Sequence, residues 1–319
     1  LTRDDAGESA RFAREDIAAL AFLVITPLAV TLARELNVSE QVFSRPPPLT
    51  SAAVGIGLAA IAALTVWRAA SRTTAALRIF IIVIIAIFIV TKAEGLAAVL
   101  AGFLRGQAGQ DATLASAVDI QWLGFSYLAF RLIHTLRDRQ NGLLPALSLR
   151  EYITYLVFFP ALTAGPIDRA ERFIEDYRAV GTIRGLDADR IVRAGARIAI
   201  GLFKKFVIAD SLALFSLSAV SAAQAESTGA LWVLLYAFAF RLYFDFSGYS
   251  DIAIGVGMLF GVQLPENFDR PYLKHTITAF WQSWHITLSN WVRFYVYSPL
   301  SRSLLRRKLS PWQSAFAYG

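Results

Sequence analysis

The sequence predicts an all-α, polytopic integral membrane protein, and three observations predict it. Of the 319 residues, 56% are hydrophobic and 13% aromatic, and the mean hydropathy is +0.49. Charged residues make up 17%, against roughly 25% in a soluble domain. The charges gather in short stretches between apolar runs, several of which approach the about 20 residues needed to cross hydrocarbon as a helix.

The apolar runs follow one another along the whole chain. Asp4, Asp5, Glu8 and Glu15 precede the first, Ile17 to Thr31, so it does not read as a cleaved leader and is expected to act as an uncleaved insertion signal. Arg45-Pro-Pro-Pro48 then forms a stiff connector. Ala52 to Trp67 and Ala75 to Val90 are further spans, the second helical despite its β-branched residues because a helix satisfies its own backbone in lipid. Gly95 to Leu104 is too short to cross and reads as a continuation or a re-entrant segment. Ile120 to Leu136 is a helix carrying Arg131 and His134.

Tyr152 to Ala164 is an aromatic run broken by Pro160, Gly165 and Pro166. Such breaks at membrane depth are tolerated where protein or a water-filled cavity satisfies the freed backbone groups. Asp168 to Arg197 reads as amphipathic surface helices. Ile198 to Val220 reads as a tilted or interfacial helix with Lys204 and Lys205 snorkelling. Leu231 to Phe246 and Ile252 to Val262 read as two spans, the second short and Gly-rich, and Thr276 to Leu300 mixes aromatic with polar residues. Arg137 and Arg139, and later Arg302, Arg306, Arg307 and Lys308, favour cytoplasmic ends for their segments.

Composition removes several kinds of chemistry. The formal charge of +7 sits in short loops beside apolar runs, as topology determinants do, which argues against nucleic acid as a partner and for membrane lipid. The absence of cysteine excludes disulfides, thiolate metal sites, thiol nucleophiles and S-palmitoylation. His134, His275 and His285 form no close pair, so no metal site is expected.

Four clusters place polar groups in or beside apolar runs, where they are costly and tend to face protein or water. In the first, Phe158 to Asp168, the glycine and prolines either turn the backbone towards a channel or simply end a helix. In the second, Arg241 to Asp251, Arg241 and Asp245 stand four apart and are expected to pair structurally on one helix face; Tyr249 and Asp251 follow. The third, Leu264 to Tyr272, reads as an ordered turn in which Glu266, Asn267 and Arg270 hold neighbouring backbone. In the fourth, Trp281 to Arg293, a continuous helix would align Trp281, His285 and Ser289 on one face. Imidazole accepts a proton near neutral pH, so His285 is the candidate catalytic group. The other reading makes it a buried hydrogen-bonding residue, with Trp281 and Trp284 in an interfacial belt. A triad of Ser289, His285 and Asp251 has no support from spacing.

In this order, the blocks FFPALTAGPI, FDFSGYSDIAIG, LPENFDRPY and FWQSWHITLSNWVR resemble the bacterial branch of the membrane-bound O-acyltransferases, which includes alginate O-acetyltransferases and teichoic acid D-alanyltransferases. The resemblance runs from about Tyr152 to Leu300. It implies a ring of membrane helices around a thin central reaction chamber, with re-entrant and interfacial helices, in a multi-pass protein of the bacterial inner membrane. It implies transfer of an acyl group, acetyl being the expected one, from a thioester to a hydroxyl of an exported polysaccharide. The donor would be acyl-CoA or an acyl-phosphopantetheine carrier protein on the cytoplasmic side; no bound cofactor is implied, and an extracytoplasmic acyltransferase is a possible partner.

The resemblance implies that His285 corresponds to the first of two family histidines. The second lies in a later segment, so the chain, read as one membrane domain over 1–319, is expected to lack its C-terminal membrane segments. Pro160, Gly165, Pro166, Asp245, Tyr249, Asp251, Asn267, Arg270, Trp281, Trp284, Ser289 and Arg293 are the supporting or channel residues. The pattern departs at Phe294, where an acidic residue is usual, and at Ser298 to Arg302, which replaces a glycine-ended turn. A non-catalytic membrane scaffold and a transporter remain the competing readings, since broken helices and intramembrane charges also mark transport paths.

Overall fold

The computed structural model describes residues 14–36, 53, 56–57, 74–107, 109–120, 124–180 and 187–306. Among them the regular structure is helical throughout, apart from one isolated β-bridge between Phe268 and Trp284. The expected span Ala52 to Trp67 lies almost wholly outside the described residues. The chain divides into two compact units, residues 1–121 with 135–156 and residues 122–134 with 157–319.

In the first unit, α1 (Arg14–Glu35) carries Pro27 within it. Helix α2 (Thr74–Lys92) exposes Ile79, Ile82, Val83, Ile85, Ile87 and Ile89. After Ala93 the chain turns by 92° into α3 (Glu94–Gln107), so the short run after Lys92 is a separate helix rather than a straight continuation. Two 3-10 turns, Ala112–Leu114 and Ala117–Ile120, pack against α3, held by Arg105 donating to Asp119 at 2.6 Å. Thr135 and Tyr152 share a buried hydrogen bond of 3.0 Å; they belong to α4 (Phe125–Gln140) and α5 (Leu149–Val157).

The second unit is built on two helices. α6 (Ala170–Val180) leads to α7 (Ala188–Leu202), which Asp187 caps by accepting from the Asp189 N–H at 3.1 Å. α7 passes into a π-helical stretch, Phe203–Ala209, and two short helices follow, α8 (Asp210–Ala213) and α9 (Ala219–Ala223). Then comes α10, Thr228–Leu259, 32 residues or about 48 Å at 1.5 Å per residue. Among the described residues it is the single helix long and apolar enough to cross a membrane by itself; α2 and α3 qualify together as a bent pair.

Two expectations are corrected here. The run Leu231–Phe246 and most of Ile252–Val262 belong to one helix, because Ser247, Gly248, Ser250 and Asp251 continue it as buried residues, Gly248 directly against α7. The boundary expected at Arg197 is also absent, since α7 runs on to Leu202. Both follow from one seam of small residues. Added Cβ atoms at Gly201, Gly248 and Gly255 would lie 2.6 Å from the Gly248 carbonyl oxygen, 2.7 Å from that of Gly201 and 2.9 Å from that of Ala194. Ala194 and Gly201, one heptad apart, therefore face Gly255 and Gly248, and the antiparallel backbones come as close as glycine permits.

The run Thr276 to Leu300 is not one continuous helix. It consists of α11 (Ile277–Ser283), α12 (Ile286–Val292), a π-helical turn at Arg293–Tyr297 and α13 (Ser298–Arg306). Trp284 is extended and His285 is left-handed, with φ 45° and ψ 55°.

Candidate active site

The break at Trp284 and His285 arises from competition for backbone hydrogen bonds. A helix end leaves its last carbonyls and first amides unpaired, and the loop after α10 offers partners for both. The Asp269 N–H donates to the Ser283 carbonyl at 3.0 Å, and the Ile286 N–H donates to the Asn267 carbonyl at 2.9 Å. Ser283 turns its hydroxyl back onto the Ala279 and Phe280 carbonyls at 2.8 and 2.9 Å. His285 can take the intervening left-handed conformation because histidine, like asparagine, is enriched there among non-glycine residues.

That conformation places the imidazole against the Phe246 ring, edge to face, with centroids 4.7 Å apart and planes at 88°. Its Nε2 is buried and, among the described residues, has no hydrogen-bond partner. An unpartnered buried nitrogen is costly in a structural histidine, and it is what a proton acceptor needs before its substrate arrives. Phe246 also meets Phe268 at 5.2 Å. Trp284 packs on Phe268, Phe280 and Tyr272 at 5.2, 5.6 and 5.9 Å, so an aromatic wall backs the break.

The continuous face of Trp281, His285 and Ser289 does not exist, because the left-handed residue redirects the chain between α11 and α12. Trp281 is exposed and packs on Phe280 at 5.1 Å. Ser289 is exposed and donates to the Trp284 carbonyl at 3.4 Å. Arg293 is exposed at the start of the π-helical turn.

The four sequence clusters do converge. Thr163, in the proline-broken segment, shares a short hydrogen bond with the Tyr249 hydroxyl on α10. The Ile167 N–H donates to the Thr287 hydroxyl at 3.1 Å, and that hydroxyl donates to Asn267 Oδ1 at 2.6 Å. Asn267 Nδ2 then donates to Ser250 Oγ at 3.1 Å. Pro160 and Pro166 are buried around the break, and Gly165 is required there because a Cβ would stand 2.5 Å from Ala161 Cα. This segment is therefore packed structure fastened to α10 and α12.

Charges ring the neighbouring surface of α10. Asp251, 6% exposed, accepts from Arg197 Nε at 2.7 Å and from Lys204 Nζ at 2.6 Å. Arg197 also grips Glu266 with both terminal nitrogens, at 2.8 and 2.6 Å. Asp245 pairs with Lys205, whereas Arg241 donates to Ser216 Oγ at 3.1 Å. The expected Arg241 to Asp245 pair is thus replaced: the close approach at Gly248 brings the two lysines within reach, so they neutralise aspartates on α10 instead of snorkelling. Arg270, left-handed at φ 45° and exposed, shares with Arg197, Lys204, Ser247, Asp251 and Asn267 the lining of a cavity of about 490 Å³. Among the described residues no group of three or more His, Asp or Glu gathers to hold a metal ion.

Sequence reasoning missed Arg197, Lys204 and Lys205 as partners, and missed Thr163, Ser250 and Thr287. The charged residues carried a signal, three cations on 197–205 facing two aspartates on 245–251 at the matching end of an antiparallel helix. The hydroxyl residues carried none, since threonine and serine are common in every segment.

Fold and site define a helical protein with a membrane-length helix and a half-buried imidazole at a left-handed helix break. Residues 66–318 match the family profile described as MBOAT, membrane-bound O-acyltransferase family, and the chain belongs to that family. It is 36% identical over 195 residues to a teichoic acid D-alanyltransferase of Streptococcus thermophilus, covering 60% of this chain and 46% of that protein. It is 37% identical over 179 residues to a probable alginate O-acetylase AlgI of Pseudomonas aeruginosa, covering 56% and 34%. It is 40% identical over 150 residues to a peptidoglycan O-acetyltransferase of Helicobacter pylori, covering 47% and 28%. The chain thus spans less than half the length of each of these relatives.

Proposed function

We propose that this protein transfers an acyl group, acetyl in the simplest case, from a thioester to a hydroxyl of an exported cell-envelope polysaccharide. The observation that carries the reading is His285: a half-buried imidazole whose buried Nε2 has no hydrogen-bond partner among the described residues, fixed at a left-handed break in a member of the membrane-bound O-acyltransferase family. The names of the relatives, which refer to alginate, peptidoglycan and teichoic acid, support an envelope polymer as acceptor. The setting we propose is the bacterial inner membrane, crossed several times by a ring of helices around a thin chamber. The acyl donor, acyl-CoA or an acylated phosphopantetheine carrier protein, approaches from the cytoplasm, and an extracytoplasmic acyltransferase is a candidate partner.

In this reaction His285 Nε2 takes the proton of the acceptor hydroxyl as its oxygen attacks the thioester carbonyl carbon. The tetrahedral oxyanion collapses, the carbon–sulfur bond breaks, and the departing thiolate receives the proton from the imidazolium. An ester and a thiol result, and no oxidant or reductant is consumed. The Phe246 and Phe268 rings give the imidazole an apolar flank.

The test uses His285→Asn, because asparagine tolerates the left-handed backbone but supplies no base. With radiolabelled acetyl-CoA, or an acetylated carrier protein, and native membranes, acetyl transfer to the polysaccharide fraction should fall about 10²- to 10⁴-fold. Membrane insertion and thermal stability should be retained. Transfer at the parental rate would overturn the assignment of His285.

A further inference from the structure

We infer that Thr287 is a positioning residue for His285, holding the imidazole in register through a buried hydrogen-bond relay that spans all four sequence clusters. The inference rests on His285 being the proton acceptor of the proposed reaction. Thr287 lies two residues beyond His285, in the first turn of α12, and is 6% exposed. Its hydroxyl is used twice, accepting from the Ile167 N–H at 3.1 Å and donating to Asn267 Oδ1 at 2.6 Å. Asn267 is fully buried; its side-chain Nδ2 donates to Ser250 Oγ, and its main-chain carbonyl receives the Ile286 N–H at 2.9 Å.

The Thr287 oxygen accepts from the Ile167 N–H and its proton goes to Asn267 Oδ1, so the Asn267 side chain sits with its oxygen towards Thr287 and its nitrogen towards Ser250. The same residue then presents its carbonyl to the amide that follows His285. Thr287 therefore ties the proline-broken segment ending at Ile167 to the loop that opens the helix at His285. A left-handed histidine is held against its own backbone preference, and the relay supplies the fixed frame. Other features do not give this: Trp284 and its aromatic neighbours hold the near side of the break, and nothing in them sets the backbone after His285.

Geometry of this kind affects the chemical step more than binding, because misplacing a reacting group by about 1 Å costs up to about 10²-fold. Thr287→Val keeps the shape and removes the hydroxyl, and Thr287→Ser keeps the hydroxyl. In membranes assayed with acetyl-CoA, Thr287→Val should lower kcat about 10- to 100-fold while the donor KM stays within about twofold. Thr287→Ser should restore most of the rate. The decisive measurement is Thr287→Val combined with His285→Asn: the double variant should be no slower than His285→Asn alone, since a residue acting through the imidazole has nothing left to position.

A further loss in the double variant, equal to that in the single one, would show that Thr287 only supports folding and would overturn the inference. So would a Thr287→Val enzyme with unchanged kcat. If His285→Asn itself transfers at the parental rate, the proposed reaction centre fails first and the inference fails with it. If His285→Asn is inactive and Thr287→Val is not, the inference alone fails.

Discussion

Replacing Gly248 with valine should prevent α10 from docking on α7 and leave little folded protein. A Cβ at position 248 would stand 2.7 Å from the Gly201 carbonyl oxygen and 2.9 Å from the Lys205 backbone nitrogen. Both are backbone atoms, so no rotamer change relieves the clash and one helix must move away from the other. Overpacking where side chains can adjust costs about 1–3 kcal/mol, and more where the backbone must shift. Separating the helices also pulls Lys204 from Asp251 and Lys205 from Asp245, so the packing and charge losses arrive together. Gly201→Val should behave alike, since its Cβ would meet the Gly248 carbonyl oxygen at 2.6 Å and the Ile252 nitrogen at 2.8 Å.

Gly195→Val is the matched control. It lies on the same helix with nothing within 4 Å of its Cβ, so its effect should stay within about 1 kcal/mol, the range of helix propensity. The check is the monodisperse fraction and the thermal midpoint in detergent for the three variants. Equal midpoints for Gly248→Val and Gly195→Val would remove the seam as the basis of the fold.

The seam also explains which parts of the fold were legible in the sequence. Helical class and membrane solvent follow from composition and run length, which depend on each residue's own chemistry. The division of α10 into two spans did not survive, because Ser247, Gly248, Ser250 and Asp251 read as an interruption when judged by hydropathy. They are small or ion-paired residues chosen for a neighbour, and the neighbour is about fifty residues away in sequence. His285 stood out in the sequence as a candidate base because imidazole near neutral pH has few substitutes. Its true setting was not, since Trp281, His285 and Ser289 fit a helical period that the Asn267 and Asp269 backbone groups override. Local periodicity reports what a segment does alone, and this segment is shaped by a loop it contacts.

Asp251→Asn should be the most damaging substitution in the cluster of Asp251, Arg197 and Lys204, and the order among its partners follows from the geometry. Asp251 is 6% exposed and is the only carboxylate shown bonded to Lys204 among the described residues, while it also takes Arg197 Nε at 2.7 Å. Neutralising it leaves two partly buried cations facing each other across an amide. Removing one partner from a buried ion pair costs about 3–5 kcal/mol. Lys204→Met should cost far less, about 1 kcal/mol or below, because Asp251 keeps the guanidinium of Arg197. Arg197→Met should fall between them: it strips one bond from Asp251, but the released Glu266 side chain is 53% exposed and water takes over its charge. Urea or thermal unfolding of the three variants should therefore rank Asp251→Asn above Arg197→Met above Lys204→Met. Restoring stability by adding Lys204→Met to Asp251→Asn would identify the uncompensated cation, rather than lost packing, as the source of the damage. If Lys204→Met, which keeps an apolar stem, proves as harmful as Asp251→Asn, the ammonium is as necessary as the carboxylate and Arg197 alone does not compensate Asp251.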